Sequence, residues 1–290
     1  MASSMPSPPA PKSFAIPAYI TKPMGWLSKW MPSLALRWAL YLFFRPLKFP
    51  IPEREQGLRK RLPREKLTTS SGAAFSLWKG GHGKEKVIVL HGWSGRGSQF
   101  KHLIECLEPH YQILMIDAPG HGEFLGSPTH MLAFVDAVEE VNRLYGPIQH
   151  GIGHSLGGMA LFNAQDRGLN FQSLTLVGSP VNVQRVVYDF CDKINSTHAV
   201  AQKIIRSIEK DYALKASDIS TDYLARKHPL PGLIVHDTED KDVPFTHGKA
   251  LQRAWPSAQT LVTSGQGHRR ILQDTQLQRA VLDLLAGQKA

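Results

Sequence analysis

The fold is decided by residues 148–167. An apolar run from Ile148 to Ile152 leads into Gly153-His154-Ser155-Leu156-Gly157-Gly158, and a helical pattern follows from Met159 to Arg167. The order strand, tight turn, helix is a structural context with chemical content. A serine hydroxyl is a poor nucleophile at neutral pH, so a fold that uses one must expose it at a sharp turn, beside a base and beside backbone donors. Glycines two residues before and two after the serine leave room for such a turn, where a side chain would strike the neighbouring strand or helix. The pattern G-x-S-x-G by itself recurs by chance, and its weight here comes from the elements on either side.

Working outward, Val87–Leu90, Ile113–Ile116, Leu174–Val177 and Leu233–Val235 are further continuous apolar runs, and helical patterns such as Met131–Tyr145 lie between them. Runs apolar on both faces that alternate with helices indicate a mostly parallel sheet covered by helices. Thr68–Ser70 and Ala73–Trp78 flank Gly72 as a hairpin, Ala258–Val262 reads as a last strand and Arg270–Leu285 as a last helix. No repeat of solenoid or propeller period is present. One segment breaks the alternation: residues 181–228 hold helical pieces at Val183–Asp192 and Val200–Lys215 and no strand signal. A helical cap inserted between two strands accounts for it, and a long, ragged crossover helix is the alternative. The resulting division is an N-terminal arm (1–66), a core (67–180 and 229–290) and a cap (181–228).

With 290 residues, 42% of them apolar, the chain can bury a large core, and two cysteines, Cys106 and Cys191, exclude a disulfide framework or a zinc finger. The net charge of +10 raises nucleic acid or an anionic membrane as partner. Residues 1–66, however, hold twelve Lys and Arg against Glu53, Glu55 and Glu65, so the body carries only +1. The positive charge is interleaved with aromatics and prolines rather than laid along a polar face, which does not support nucleic-acid binding. Pro and Ser in residues 1–23 predict a draped arm without a regular element. Met24–Phe44 reads as one or two short apolar helices broken at Pro32, with Ser33 as N-cap, followed by a charged connector at Pro52–Lys66. Two readings of residues 24–48 stay open: an interfacial anchor of aromatic and basic side chains making peripheral membrane contact, and a helix packed on its own domain. The absence of an 18-residue uncharged apolar run and of a secretory signal pattern places the chain in the cytoplasm on this reading.

Two loops could complete a site around Ser155. Val87–Leu90 ends in His91-Gly92-Trp93-Ser94-Gly95-Arg96-Gly97, a glycine-rich loop able to aim a backbone N–H at the serine. An ester carbonyl that becomes an anion needs two fixed donors, and the N–H groups of Trp93 and Leu156 are the candidates for this oxyanion hole. His91 reads as structural. Asp117-Ala118-Pro119-Gly120-His121-Gly122 ends the next strand, and its glycines suit a turn better than an acid–base role for His121.

These motifs resemble those of the α/β-hydrolase fold superfamily, in its serine esterase and lipase-like branch. The likeness rests on H-G-W at 91–93, D-A-P-G-H-G at 117–122, G-H-S-L-G-G at 153–158, H-D-T-E-D-K-D-V-P at 236–244 and G-H at 267–268, over residues 68–286. It implies an eight-stranded-type sheet and a triad in the order nucleophile, acid, histidine. The resemblance assigns Ser155 as nucleophile, Asp240 as acid, with Asp242 second, and His268 as base. Asp237 stands where glycine is usual. His247, at the start of a helix, reads as a surface residue. Ser155 in place of a carboxylate argues against the dehalogenase and epoxide hydrolase branches, and neither a metal nor a cofactor is implied. The expected activity is hydrolysis of small carboxylic esters through an acyl-enzyme. Thioesters and peptide-like amides use the same triad, a membrane-associated lipase or lysophospholipid hydrolase is the alternative suggested by the arm, and a non-catalytic ligand-binding protein is a rival of another class. Val186, Tyr188, Phe190 and Ile204 either shape an acyl pocket or form the core of the cap. Oligomeric state is not legible.

Overall fold

The computed structural model describes residues 16–287. Two helices open it, α1 (Ala18–Trp30) and α2 (Pro32–Phe43), followed by α3 (Glu53–Arg61). Strands β1 (Arg64–Thr68) and β2 (Ala74–Gly80) form the expected hairpin, with Arg64 opposite Trp78 and Thr68 opposite Ala74. Then come β3 (Lys86–Leu90), α4 (Lys101–Leu107), β4 (Gln112–Asp117), α5 (Met131–Tyr145), β5 (His150–His154), α6 (Leu156–Asp166) and β6 (Ser173–Val177). Three helices, α7 (Val183–Lys193), α8 (His198–Asp211) and α9 (Thr221–Lys227), separate β6 from β7 (Gly232–Asp237). The chain ends with α10 (Thr246–Ala254), β8 (Ala258–Thr263), α11 (Gly267–Arg270) and α12 (Thr275–Gly287).

The eight strands make one sheet in the order β1-β2-β4-β3-β5-β6-β7-β8, antiparallel at β1 and β2 and parallel from β4 onward. Its central strands carry apolar side chains on both faces because both are covered. Ile88, Leu90 and Leu174 pack with Phe134, Val138, Leu161 and Trp255 on one face, and Val87, Val89 and Ile113 pack with Leu103, Leu107, Val281 and Leu285 on the other. Burying an aliphatic side chain of this size stabilises by roughly 1.5–3 kcal/mol, which makes the two-sided sheet the main store of stability. Parallel strands all end at the same edge, so the loops after β3, β5, β6, β7 and β8 converge there.

A third apolar cluster lies outside these two layers. Met24, Ala35 and Ala39 of the first two helices pack with Val187, Cys191, Val200, Ala201 and Ile204 of α7 and α8. Residues 24–48 are therefore packed on the chain itself. The small side chains Ala35 and Ala39 let α2 approach α8 closely, a contact that no hydrophobic-pattern argument singles out.

Several expectations need correction. Helix α1 begins at Ala18, inside the segment expected to lack regular structure, because Pro23 is accommodated within it; the remainder of that expectation, residues 1–15, lies outside the described residues. Ser33 is not the N-cap of α2: Pro32 occupies the first turn and Met31 the cap position. The charged connector 52–66 holds α3 and the start of β1, whose alternating exposed and half-buried side chains disguise an edge strand. The last helix is interrupted: α11 and a 3-10 turn at Ile271–Gln273 precede α12.

Candidate active site

Ser155 follows β5 and caps α6 with φ 52 and ψ −121, a left-handed conformation that a non-glycine residue adopts only when its surroundings enforce it. Two bonds hold it: its N–H donates to the Val177 carbonyl at 2.9 Å, and its carbonyl accepts from the Ser179 hydroxyl at 2.6 Å. The neighbouring glycines are required by contact. A Cβ at Gly153 would lie 2.4 Å from the Gly158 nitrogen, and one at Gly157 would lie 2.3 Å from the Leu90 carbonyl oxygen. The turn can thus be sharp only with this spacing of glycines.

Across the sheet edge, Asp240 and His268 meet at 2.7 Å, Oδ2 to Nδ1. The other carboxylate oxygen of Asp240 accepts the N–H groups of Asp242 and Val243, at 2.9 and 2.8 Å. Burial pushes the Asp240 carboxyl up, but the His268 hydrogen bond and charge and the Val243 amide outweigh it and hold it below the ordinary carboxylate value. An ionised Asp240 fixes the proton of His268 on Nδ1 and leaves Nε2 as an acceptor. Asp242, the second candidate acid, turns toward Lys193 instead, 3.8 Å away. The His154 Nε2–H donates to the His268 carbonyl at 2.8 Å, so the residue before the serine orients the backbone of the histidine. That link had no signal in the sequence.

Asp237, where glycine is usual, proves to be a loop anchor. Its carboxylate is fully buried and accepts from the Thr263 hydroxyl and from the N–H groups of Glu239 and Gln266, which ties the loop after β7 to the loop that carries His268. Burial raises this carboxyl, and the Thr263, Glu239, Gly267 and Gln266 donors together bring it below its ordinary value.

The loop after β3 brings Gly92 against Ser155, where an added Cβ would lie 2.8 Å from the serine Cβ. Trp93 and Leu156 line the same cleft as Ser155 and His268. This loop is braced from the arm: Arg96 makes two bonds to Glu55 of α3, at 2.6 and 3.0 Å, and Ser98 donates to the same carboxylate at 2.8 Å. Glu55 is buried, and nothing in its sequence context marked it. Three histidines are structural. His91 accepts the Ala118 N–H on Nε2 and donates from Nδ1 to the Gly92 carbonyl, while His121 accepts the Ser94 N–H on Nε2 and donates to the Pro119 carbonyl. Burial lowers His91 to about 4 and His121 to about 3, so both are neutral. His247, expected on the surface, is buried and accepts the Val181 N–H at 3.1 Å, because α10 packs under the start of the inserted helices.

The cleft that holds Ser155 has a volume of about 860 Å³, and one wall is the arm: Tyr41, Phe43, Arg45, Leu47 and Phe49. Two backbone bonds fasten that wall, Leu47 N–H to the Ser94 hydroxyl at 2.8 Å and Thr129 N–H to the Phe44 carbonyl at 2.9 Å. Of the four inserted-helix residues named from the sequence, Val186 and Phe190 line the cleft, Phe190 meeting Phe43 edge-on at 5.0 Å. Ile204 lies in the core shared with the arm, and Tyr188 packs against that core.

Comparison with known proteins agrees with this architecture. Residues 87–213 match the model of the alpha/beta hydrolase family. The chain is 30% identical over 230 residues to a pimeloyl-[acyl-carrier protein] methyl ester esterase of Xanthomonas axonopodis pv. citri (strain 306), covering 65% of this chain and 89% of that one. Among solved structures, a thermophilic esterase from Thermogutta terrifontis superimposes with TM-score 0.59 at 19% identity, over 79% of this chain and all of the other. An esterase from Rhodococcus sp. ECU1013 gives 0.59 at 17%, over 77% and 98%. These two likenesses are of fold.

Proposed function

The chain belongs to the α/β hydrolase family, and on that premise we propose that it is a serine hydrolase that cleaves carboxylic esters through an acyl-enzyme on Ser155. The observation that carries the reading is the 2.7 Å contact of His268 Nδ1 with an ionised, doubly amide-bonded Asp240, in the cleft that the strained Ser155 lines. In the first step Ser155 Oγ attacks the ester carbonyl carbon and its proton passes to His268 Nε2. The carbonyl oxygen becomes an anion facing the N–H groups of Trp93 and Leu156, neither of which has an acceptor of its own among the described residues. The C–O bond to the alcohol then breaks, and His268 returns the proton to the departing oxygen. Water attacks the acyl-enzyme by the same route in reverse, with His268 again as base. The esterase named for the relatives favours an ester over a thioester or amide as substrate. The test is hydrolysis of p-nitrophenyl esters of graded chain length: Ser155→Ala and His268→Ala are each expected to lose about a thousandfold or more in kcat. Full activity in Ser155→Ala overturns the reading.

A membrane-associated form of the same hydrolase is the second reading, favoured by the outward face of the arm. No described helix is long and apolar enough to cross a bilayer. Yet α1 and α2 expose Tyr19, Trp26, Trp30, Leu34 and Tyr41 together with Lys22, Lys29 and Arg37, and residues 16–52 contain no acid. A face of this composition suits the headgroup layer of an anionic membrane, with the opposite face of the same helices docked on α7 and α8.

A further inference from the structure

The alcohol half of an ester has its own surroundings in this cleft. Its oxygen must face His268 Nε2 to be protonated, so the alcohol sits on the side that His268 and the arm line. A cleft of about 860 Å³ is large enough to enclose a whole organic ligand, far more than a methyl or ethyl leaving group fills. The acids that line it, Glu55, Asp242 and Asp189, are already engaged. Glu55 is held by Arg96 and Ser98, and Asp242 faces Lys193 at 3.8 Å. Asp189 lies 3.3 Å from His247 Nε2, the ring nitrogen that carries the proton because Nδ1 accepts the Val181 N–H. Among the cations, Arg54 is 3.9 Å from the same Glu55 carboxylate, and Arg270 donates to the carbonyls of Gln266 and Gly265. Two more arginines line the cleft, Arg45 and Arg269, and neither has a carboxylate partner among the described residues.

Both are held instead by rings of the arm. Arg45 lies over Tyr41, 4.0 Å from the ring centroid, and Arg269 over Phe49 at 5.1 Å. Tyr41 and Phe49 line the cleft themselves. A guanidinium laid on a ring is fixed through its face, which leaves its N–H edge open to a ligand. Arg45 is half-buried and Arg269 is exposed, so a ligand in the cleft can reach them. Arg269 directly follows His268, and its charge is felt behind the serine: burial lowers His154 to about 3, and the charges of His268 and Arg269 act in the same direction. Residues 16–52 contain no acid, so the arm does not neutralise this wall.

We propose that Arg45 and Arg269 form an anion subsite for the alcohol half, and that the substrate is an ester whose alcohol carries a phosphate group, as in an acylated glycerol phosphate. Phosphate oxygens match the forked donors of a guanidinium, and a dianion offers enough of them for two. Cleavage consumes one water and releases the carboxylic acid and the phosphate-bearing alcohol, with the phosphate ester bond untouched. The placing of the alcohol rests on the proposed hydrolase mechanism; the two arginines without a carboxylate partner do not.

The experiment compares 1-butyrylglycerol 3-phosphate with 1-butyrylglycerol, both soluble. Wild type is expected to favour the phosphate ester about tenfold in kcat/KM. Arg45→Gln and Arg269→Gln are each expected to reduce that ratio about threefold, and together to bring it to about one. Lys84→Gln, which removes the same charge from an exposed position before β3 at the opposite edge of the sheet, is expected to keep it. A wild-type ratio of one or below, or an undiminished ratio in the double variant, overturns the proposal. The corresponding oleoyl pair, carried in phosphatidylcholine vesicles, identifies the source of the phosphate. A ratio at least as large there upholds the subsite with a lipid headgroup as its ligand, and turnover of the butyryl pair alone upholds it with a soluble phosphate ester. Cleavage of p-nitrophenyl butyrate with neither glycerol ester cleaved overturns the subsite and leaves the hydrolase reading standing. If none of these esters is cleaved, the hydrolase reading itself fails, and calorimetric titration with glycerol 3-phosphate decides the subsite alone. Binding by wild type that the double variant loses upholds it, and equal or absent binding overturns it.

Discussion

The two walls of the cleft were built in different ways. One wall is the strand-end edge, where Ser155, Asp240 and His268 sit on turns after β5, β7 and β8 and are held by hydrogen bonds to backbone groups of those turns and of neighbouring strand ends. The other is the arm with the inserted helices, where Phe43, Val186 and Phe190 face the same space and Phe43 and Phe190 are held chiefly by apolar packing. A turn that must expose a hydroxyl at φ 52 dictates glycine at fixed offsets, so its chemistry leaves a motif. A wall made by packing accepts many apolar side chains of suitable volume, and leaves none. On the proposed reading, chemistry would be written in the loops of this chain and substrate selection in its helices.

The sharpest way to break that contrast is at the two buried aspartates after β7. Asp240→Asn keeps the shape of the turn and removes the charge that orients His268. It is expected to cost about ten-thousandfold in kcat with little change in Tm, following the behaviour of triad acids elsewhere. Asp237→Asn, three residues earlier, is expected to do the opposite, losing stability with a far smaller loss of kcat. The pH dependence adds a sign. The carboxyl of Asp237 lies below its ordinary value in the folded chain, so its stabilising contribution is complete above the unfolded value of about 3.9 and is lost as pH falls through the folded one. Asp237→Asn should flatten the acid limb of the stability curve, measured by denaturant midpoint from pH 6 down to pH 3. An acid limb parallel to that of wild type contradicts the assignment.

Next in size is Glu55, where the arm braces the loop that carries Trp93. Removing one partner of a buried ion pair leaves the other charge uncompensated, so Glu55→Gln is expected to destabilise by about 3–5 kcal/mol and to lower kcat as the loop loosens. Unchanged Tm would show that the arm is an appendage to the site. The smallest effect is expected at the outer face: Trp26→Ser with Trp30→Ser should leave soluble-ester kcat within twofold and reduce co-sedimentation with anionic phosphatidylserine vesicles about tenfold. Equal sedimentation of wild type and variant sinks the membrane-associated reading.

Most of the sheet and every residue of the proposed triad were legible in the sequence. Buried parallel strands must be apolar throughout, and the turns between them and the site demand particular residues. The less legible parts have a common physical cause. Edge strand β1 alternates charges with half-buried side chains, α3 is polar apart from Leu58, and the roles of Glu55, His154 and Asp237 depend on partners far away in sequence. The misplacement of His247 has the same origin: its surroundings at the start of α10 are polar in sequence, and its burial comes from the segment around Val181.

The central claim is a covalent acyl-enzyme on Ser155, and intact-mass spectrometry tests it most directly. Wild-type protein mixed with p-nitrophenyl butyrate and quenched in acid within the first turnovers is expected to gain one butyryl group, mapped to the peptide containing Ser155, with none on Ser155→Ala. Steady hydrolysis of the ester by wild type with the acyl group on another residue, or persistence of the adduct in Ser155→Ala, would contradict the account.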